Sequence, residues 1–441
     1  GDVYKRQGLN SASADRQTTL VTVLGEAGVG KTRLLFEFEN WLELQSETVW
    51  YFKGRCIQQR QGVANGLLRD LFAFHFDIAE SDPIKVVRGK LEAGIARFLP
   101  GEGETKAHCL GAWLGYDYGH SPHVAALRGD AEQLHNRASL YMGQFLAALT
   151  DDFPVVILLE DLHWADGGSL NALVDLCRRR PGLPLFILCL VRPQLLVRRP
   201  RWGSDLLGTR YERVDLPPLA ETAARALVVE ILQKVTKVPP ILIELLVSRA
   251  EGNPYYVEEL VQMLIDLGVI STSEESWRVI VEKVAELRVP ATLTDVLQAR
   301  LDRLSPPQKE ALQQAAVVGR VFWDAVLAEL GGGAEDRLAE LAGRELVLPR
   351  RQSAFAGAAE YIFKHALLRD VTYETVLKRV RCGYHRLVGA GLVAAAEANG
   401  RTDEYAAIIG GHYEAAGERA VAAAWYGRAG KQAARQFDQE A

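Results

Sequence analysis

Three groups of residues have types and spacings that do chemistry when brought together. The first is GEAGVGKT at 25–32: Gly25, four residues, then Gly30, Lys31 and Thr32. The apolar run TLVTVL precedes it, and RLLFEFENWLEL follows with Leu34, Leu35, Phe38, Trp41 and Leu42 at helical spacing. Strand, glycine loop and helix in that order aim successive backbone N–H groups and a helix N-terminus at one point, which binds phosphate. Gly25, Gly28 and Gly30 permit the backbone torsions and the close approach. Lys31 reaches the outer phosphates of a nucleotide, and Thr32 offers its hydroxyl to Mg²⁺. Glu26, Ala27, Val29 and Arg33 complete the binding stretch. Lys31 is expected to be exposed on the loop.

The second group is the acid pair that ends VVILLED at 155–161. Five apolar residues followed by Glu160 and Asp161 read as a central parallel strand whose carboxyl end meets the ligand. One acid is expected to hold Mg²⁺, directly or through water, and the other to polarise an attacking water. The letters do not divide the two roles. The third is Arg192, which ends the apolar run LFILCLVRP at 185–193. On that edge an arginine reads an outer phosphate by charge-assisted hydrogen bonds; the plainer reading is a solvated strand-end residue.

These groups need a parallel α/β sheet to bring them together, and the chain alternates accordingly. Strands are expected at 19–24, 48–53, 154–160, 184–191 and 210–215, with helices between. The boundaries read as a disordered or non-native leader at 1–18 and a nucleotide-binding α/β domain at 19–217 that carries a helical insertion at 64–150. After LPPLA at 216–220 the strands give way to amphipathic helices, so 218–289 reads as a helical lid. Its last helix starts at Gly252-Asn253-Pro254, with Pro254 as a first-turn proline. Residues 290–378 read as short helices followed by a β-hairpin, the winged-helix pattern. The helix at 335–345, EDRLAELAGRE, is net acidic, which argues against DNA reading. Residues 379–441 are Ala-rich helix resembling the start of a tetratricopeptide array.

Composition adds limits. With 441 residues, 48 % hydrophobic and 24 % charged, the chain is an ordinary globular one with room for about three domains. A net charge of −5 supplies no global attraction to nucleic acid or anionic membrane. The five cysteines lack metal-ligand or paired spacing and point to reduced, buried thiols in a cytoplasmic protein. No apolar run is long enough to span a membrane. The chain does not begin with Met and stops within a helical pattern, so it is expected to be a fragment.

Six ordered stretches carry a family resemblance: GEAGVGKTRLL, VVILLEDLHWADGGSL, LFILCLVRP, GNPYYVEELVQ, PATLTDVLQARLDRLSPPQKEALQQAAVVGRVF and YIFKHALLRDVTYE. Together they resemble the STAND class of signalling P-loop ATPases. More narrowly, they are similar to the AAA-type module found behind bacterial adenylate/guanylate cyclase domains and in large transcriptional regulators. The resemblance implies that Gly25–Thr32 is the Walker A loop, Glu160 and Asp161 the Walker B acids, and Arg192 the sensor arginine. It implies that Pro254 lies near adenine and that His365 faces the ADP phosphates, with a packed or surface histidine as the plainer reading of His365. No contact is assigned to His163, Trp164 or Asp166. The family's segment before the first strand and its effector domain are not expected among these residues. The implied function is an ATP/ADP- and Mg²⁺-dependent switch with slow hydrolysis, protein partners on its repeats and nucleotide-driven self-assembly. Its rivals are a fast remodelling ATPase and a DNA-binding regulator.

Overall fold

The computed structural model describes residues 16–45, 48–127, 130–204, 206, 208–272, 277–285, 290–331 and 333–436. Most of the leader therefore lies outside the described residues, but its last positions do not behave as a leader. Thr18 is fully buried, its N–H donates to Pro181 O at 2.9 Å, and its hydroxyl donates to Arg180 O at 2.7 Å. These bonds tie the approach to the first strand into the sheet, so residue 18 belongs with the sheet rather than with a leader.

Five parallel strands form the central sheet: β1 (Thr19–Leu24), β2 (Trp50–Arg55), β3 (Val155–Glu160), β4 (Leu185–Val191) and β5 (Arg210–Asp215), in the order β2-β3-β4-β1-β5. The edge strand β2 runs two residues later than its sequence reading of 48–53. Its register is set by β3, which pairs Trp50 with Val155 and Arg55 with Glu160. The strands β3 and β4 begin after Pro154 and Pro184, whose rings supply no N–H to the ladder. In β1 the alternation sends Leu20 and Leu24 to one apolar cluster and Val21 and Val23 to the other. Both faces are covered, as a parallel sheet requires.

One cover is α1 (Lys31–Glu43), which buries Leu35, Phe38 and Leu42 against the sheet. The other face carries the segment between β2 and β3: α2 (Gly66–His75), α3 (Ile84–Phe98), α4 (Gly103–Trp113), the short α5 (Pro122–Ala125) and α6 (Ala131–Asp152). Trp113, Phe145 and Leu149 seal it to the sheet with no exposed surface. Next come α7 (Gly167–Arg179) and α8 (Gln194–Arg198).

Beyond β5 lie α9 (Glu221–Ile231), α10 (Pro240–Ala250) and α11 (Pro254–Asp266), which share a core of Val228, Leu242, Leu246, Val257 and Leu260. The apolar run at the end of α11 is not all helix. Val269 and Ile270 leave it after Gly268 (φ +63°), and the antiparallel ribbon β6 (Ile270–Thr272) with β7 (Trp277–Val279) follows, so this region is not purely helical. The next unit holds α12 (Val281–Ala285), α13 (Leu293–Leu301), α14 (Pro306–Val318), β8 (Val321–Trp323), α15 (Asp324–Ala328), α16 (Leu338–Gly343), β9 (Val347–Pro349) and β10 (Glu360–Phe363). Its sheet has three antiparallel strands, β8-β10-β9, rather than a hairpin alone. Three residues are too few for β8 to show a period in sequence. The chain continues as α17 (Ala366–Glu374), α18 (Lys378–Ala398), α19 (Thr402–Ala415) and α20 (Arg419–Gln436).

All five cysteines are free and four are buried. No helix among the described residues is long and apolar enough to cross a membrane.

Gly252 decides how α11 meets the nucleotide-binding domain. Its φ is +74°, its carbonyl accepts from Leu219 N at 2.7 Å, and a Cβ there would sit 2.2 Å from Leu219 O. Backbone cannot retreat as a side chain can. Gly252→Ala is expected to cost about 1–3 kcal/mol, read as a lower thermal midpoint; an unchanged midpoint would mean the turn relaxes freely.

Candidate functional site

The sheet order places the carboxyl ends of β3, β4 and β1 side by side. Glu160 and Asp161, Arg192, and Gly25 leave from those three ends. The chain reverses its strand order at β1, which is where ligands sit in open α/β sheets.

The loop after β1 folds as its glycines demand. Gly28 and Gly30 have φ of +83° and +96°, and Gly30 is the N-cap of α1 without a side-chain cap, so the first N–H groups of the helix remain available. Lys31 is not exposed as the sequence reading holds. It is 8 % exposed, and its Nζ donates to Gly25 O and Glu26 O of its own loop, each at 2.7 Å. Burial and the nearby Arg192 charge bring its ammonium down to about 8. Arg192 Nε is buried without a hydrogen-bond partner among the described residues. Two cations and a helix N-terminus therefore face one place, an arrangement that an anion relieves. Thr32 is exposed at the start of α1. The side chain of Arg33 points away, paired with Glu37 on the outer face of α1, so only its backbone remains with the site.

The two acids have different surroundings. Glu160 is 6 % exposed, with Lys53 Nζ 3.5 Å away. Asp161 adopts φ +54°, a left-handed conformation that is uncommon outside glycine. Its Oδ2 accepts from Arg320 at 2.9 Å, and Arg55 Nε lies 3.8 Å away. Burial alone would raise this carboxyl; Arg320 and Arg55 outweigh it and hold it below the usual carboxylate range. His163 is buried beside the acids with no partner on either ring nitrogen among the described residues, and burial lowers it to about 4. Asp166 accepts from Ser169 N at 2.8 Å as the cap of α7 and from Asn65 N at 3.0 Å.

The α9–α11 unit grips the loop directly. Asn253 Nδ2 donates to Ala27 O at 3.1 Å, and Tyr255 N donates to Gly28 O at 3.3 Å. Pro254 between them opens α11 and is half-buried. His365 caps α17 and lays its ring on that of Tyr255, centroids 3.7 Å apart, while its Nε2 is buried without a partner among the described residues. The structure thus brings Lys31, Arg192, Asp161 and His163 together and connects Pro254 and His365 to the loop through Asn253 and Tyr255.

Sequence reading missed Arg320 and Gln59. Gln59 Nε2 donates to Val318 O and Val321 O at 3.1 and 3.2 Å, and its Oε1 accepts from Arg320 N at 3.2 Å. Both lie more than 150 residues from their partners, and no local pattern marks them.

Fold and loop define a P-loop nucleotide-binding protein. Residues 7–188 match the AAA ATPase domain family model, in line with the resemblance to STAND-class P-loop ATPases. The chain is 23 % identical over 377 residues to an uncharacterized protein of Rhizobium meliloti (strain 1021), covering 84 % of this chain and 34 % of that one. Among solved structures, it is similar to a Signal Transduction ATPase with Numerous Domains protein with a tetratricopeptide repeat sensor from Pyrococcus horikoshii. That match has TM-score 0.43 and 11 % identity over 97 % of this chain and 57 % of that one. It is also similar to the ORC2 protein of Aeropyrum pernix, with TM-score 0.36 and 10 % identity over 85 % and 93 % of the two chains. The chain therefore spans about a third of the Rhizobium relative and just over half of the Pyrococcus protein.

The residues present fit a nucleotide with Mg²⁺: unmatched cations for phosphate, and the oxygen donors Thr32, Glu160 and Asp161 for a hard cation. Free Lys31 is partly neutral above pH 8, and phosphate favours its charged form. ATP binding between pH 7.5 and 9 is therefore expected to take up a proton and to weaken as pH rises, by at most about tenfold per unit. Calorimetry in two buffers of different ionisation enthalpy reads this, and no buffer dependence would mean Lys31 is fully charged beforehand. Lys31→Ala is expected to lower ATP affinity by about 10–100-fold, one charge-assisted contact.

Proposed function

We propose that the chain is an ATP/ADP-dependent switch of the STAND kind, with slow hydrolysis, and that the arrangement described above is its closed form. In this reading residues 19–217 bind the nucleotide and Mg²⁺, 218–289 are the lid, 290–378 a winged helix, and 379–441 the start of a tetratricopeptide-like array. The array receives protein partners in the cytoplasm, and the opened form self-assembles.

The observation that carries the reading is the ion pair between Arg320 and Asp161, at 2.9 Å. Asp161 follows β3 of the nucleotide-binding domain, whereas Arg320 stands between α14 and β8, in the unit proposed as the winged helix. While Arg320 holds Oδ2, that oxygen is committed to a cation of its own chain, which leaves Asp161 a weaker ligand for metal or water. Gln59 fastens the same turn by three hydrogen bonds. Arg69 adds an ion pair at 3.1 Å to Glu404 in α19.

Bound Mg²⁺ would supply charge neutralisation at the phosphates, with Thr32 and one or both acids holding it. Lys31 leaves its loop carbonyls for phosphate, and Arg192 completes the anion site. His365 reaches ADP from the closed unit through its position on Tyr255. The magnitudes suit a switch. Moving a population from 1:99 to 99:1 takes about 5.5 kcal/mol, and contacts of the Arg320 and His365 kind contribute about 1–3 kcal/mol each. Nucleotide exchange and a partner on the repeats together suffice.

Wild-type turnover is expected below about one per second, the slow edge of enzyme rates; tens per second would favour a remodelling motor. Arg320→Ala is expected to raise hydrolysis by about tenfold, equivalent to about 1.4 kcal/mol of barrier, with nucleotide affinity retained. An unchanged or lower rate would make Arg320 a structural or catalytic contact rather than a brake. His365→Ala is expected to weaken ADP more than ATP, read by parallel titrations; equal affinities to wild type would return His365 to simple packing.

A further inference from the structure

Outside the nucleotide site, one cluster combines metal-ligating side chains with a built surround. Glu104 and His108 stand one turn apart on α4 and so share a face. The turn that ends at Ser121 brings His123 of α5 to that face. One ligand atom from each of the three lies within 4.8 Å of the other two. Four ligands about 2.1 Å from a zinc ion are separated by about 3.4 Å, so small side-chain rotations close the gap. We propose that Glu104, His108 and His123 form a binding site for a first-row transition metal ion, with Zn²⁺ the best fit.

The surround supports ligation rather than a chance surface cluster. His108 Nδ1 lies 2.7 Å from Ser121 Oγ, and His123 Nδ1 lies 3.1 Å from Thr105 Oγ1. Both imidazoles thus have a hydroxyl on one nitrogen. With Nδ1–H donating to that hydroxyl, each Nε2 keeps its lone pair for a metal, the arrangement that orients ligating histidines. Both Nε2 atoms face carboxylates: Glu92 Oε1 at 3.1 Å for His108, and Glu104 Oε1 at 3.9 Å for His123. Water would complete the shell, and the Glu92 carboxylate beside His108 adds negative charge that favours a cation. Imidazole with carboxylate selects Zn²⁺ and its neighbours over Mg²⁺ or Ca²⁺, which favour all-oxygen shells.

An ion here would fasten α4, α5 and the turn at 114–121 into one piece. That turn supplies Asp117, Tyr118 and Gly119 to the lining of a cavity of about 1310 Å³, which Arg401, Glu404 and Arg428 of the C-terminal segment also line. The metal would brace the insertion where it meets those helices.

The test uses the whole chain, stripped with chelator and held in excess Mg²⁺ so that the nucleotide site is saturated. Zn²⁺ is then titrated by calorimetry. One Zn²⁺ per chain is expected, with a dissociation constant below about 1 μM. His123→Ala and Glu104→Gln are expected to lose at least about tenfold in affinity, since even partners of ligands are worth that much. Both side chains are partly exposed, at 33 % and 72 %, so these variants keep the fold, which circular dichroism verifies. Wild-type affinity weaker than about 1 μM, or equal Zn²⁺ affinity in wild type and both variants, would overturn the site.

Discussion

Unbalanced positive charge at the carboxyl end of β1 is the constraint around which the molecule is arranged. Lys31, Arg192 and the start of α1 converge there, and Lys31 is quieted only by the carbonyls of its own loop. The nearest acid is spoken for by Arg320. An anion placed there would relieve the repulsion between the two cations.

The surrounding units attach to the loop and its acids rather than to remote surfaces. Asn253 and Tyr255 hold loop carbonyls, His365 lies on Tyr255, and Arg320 and Gln59 hold the turn after α14 against the acid strand and its neighbour. None of these contacts is large. Apart from the ring contact of His365 with Tyr255, each is a polar, directional contact close to the place where phosphate and metal charges would arrive. The seams that Trp113, Phe145 and Leu149 make under the insertion are of the other kind, apolar and fully buried.

Burial of charge also explains the placement of strain. Asp161 takes a left-handed backbone conformation immediately after a fully buried strand, and the ion pair to Arg320 holds it there. Gly252 takes another such conformation so that Asn253 can reach Ala27. Both lie on the route between the sheet and the units that follow it.

The sequence by itself determined the sheet, the loop and the positions of the acids, because those depend on local periodicity and on glycine and charge at fixed spacing. The apolar runs at 19–24, 155–160 and 185–191 are buried strands, and their carboxyl ends lie side by side in the sheet. What lay beyond local pattern was decided by tertiary structure. The edge strand β2 took its register from β3, and β8 exists because β10 gives it a partner. Arg33, next to the loop in sequence, turned its side chain to Glu37, since a helix rotates adjacent residues onto different faces. Arg320 reached Asp161 across 159 residues. An ion pair between distant segments leaves no periodicity in either one, so only the folded chain could reveal it.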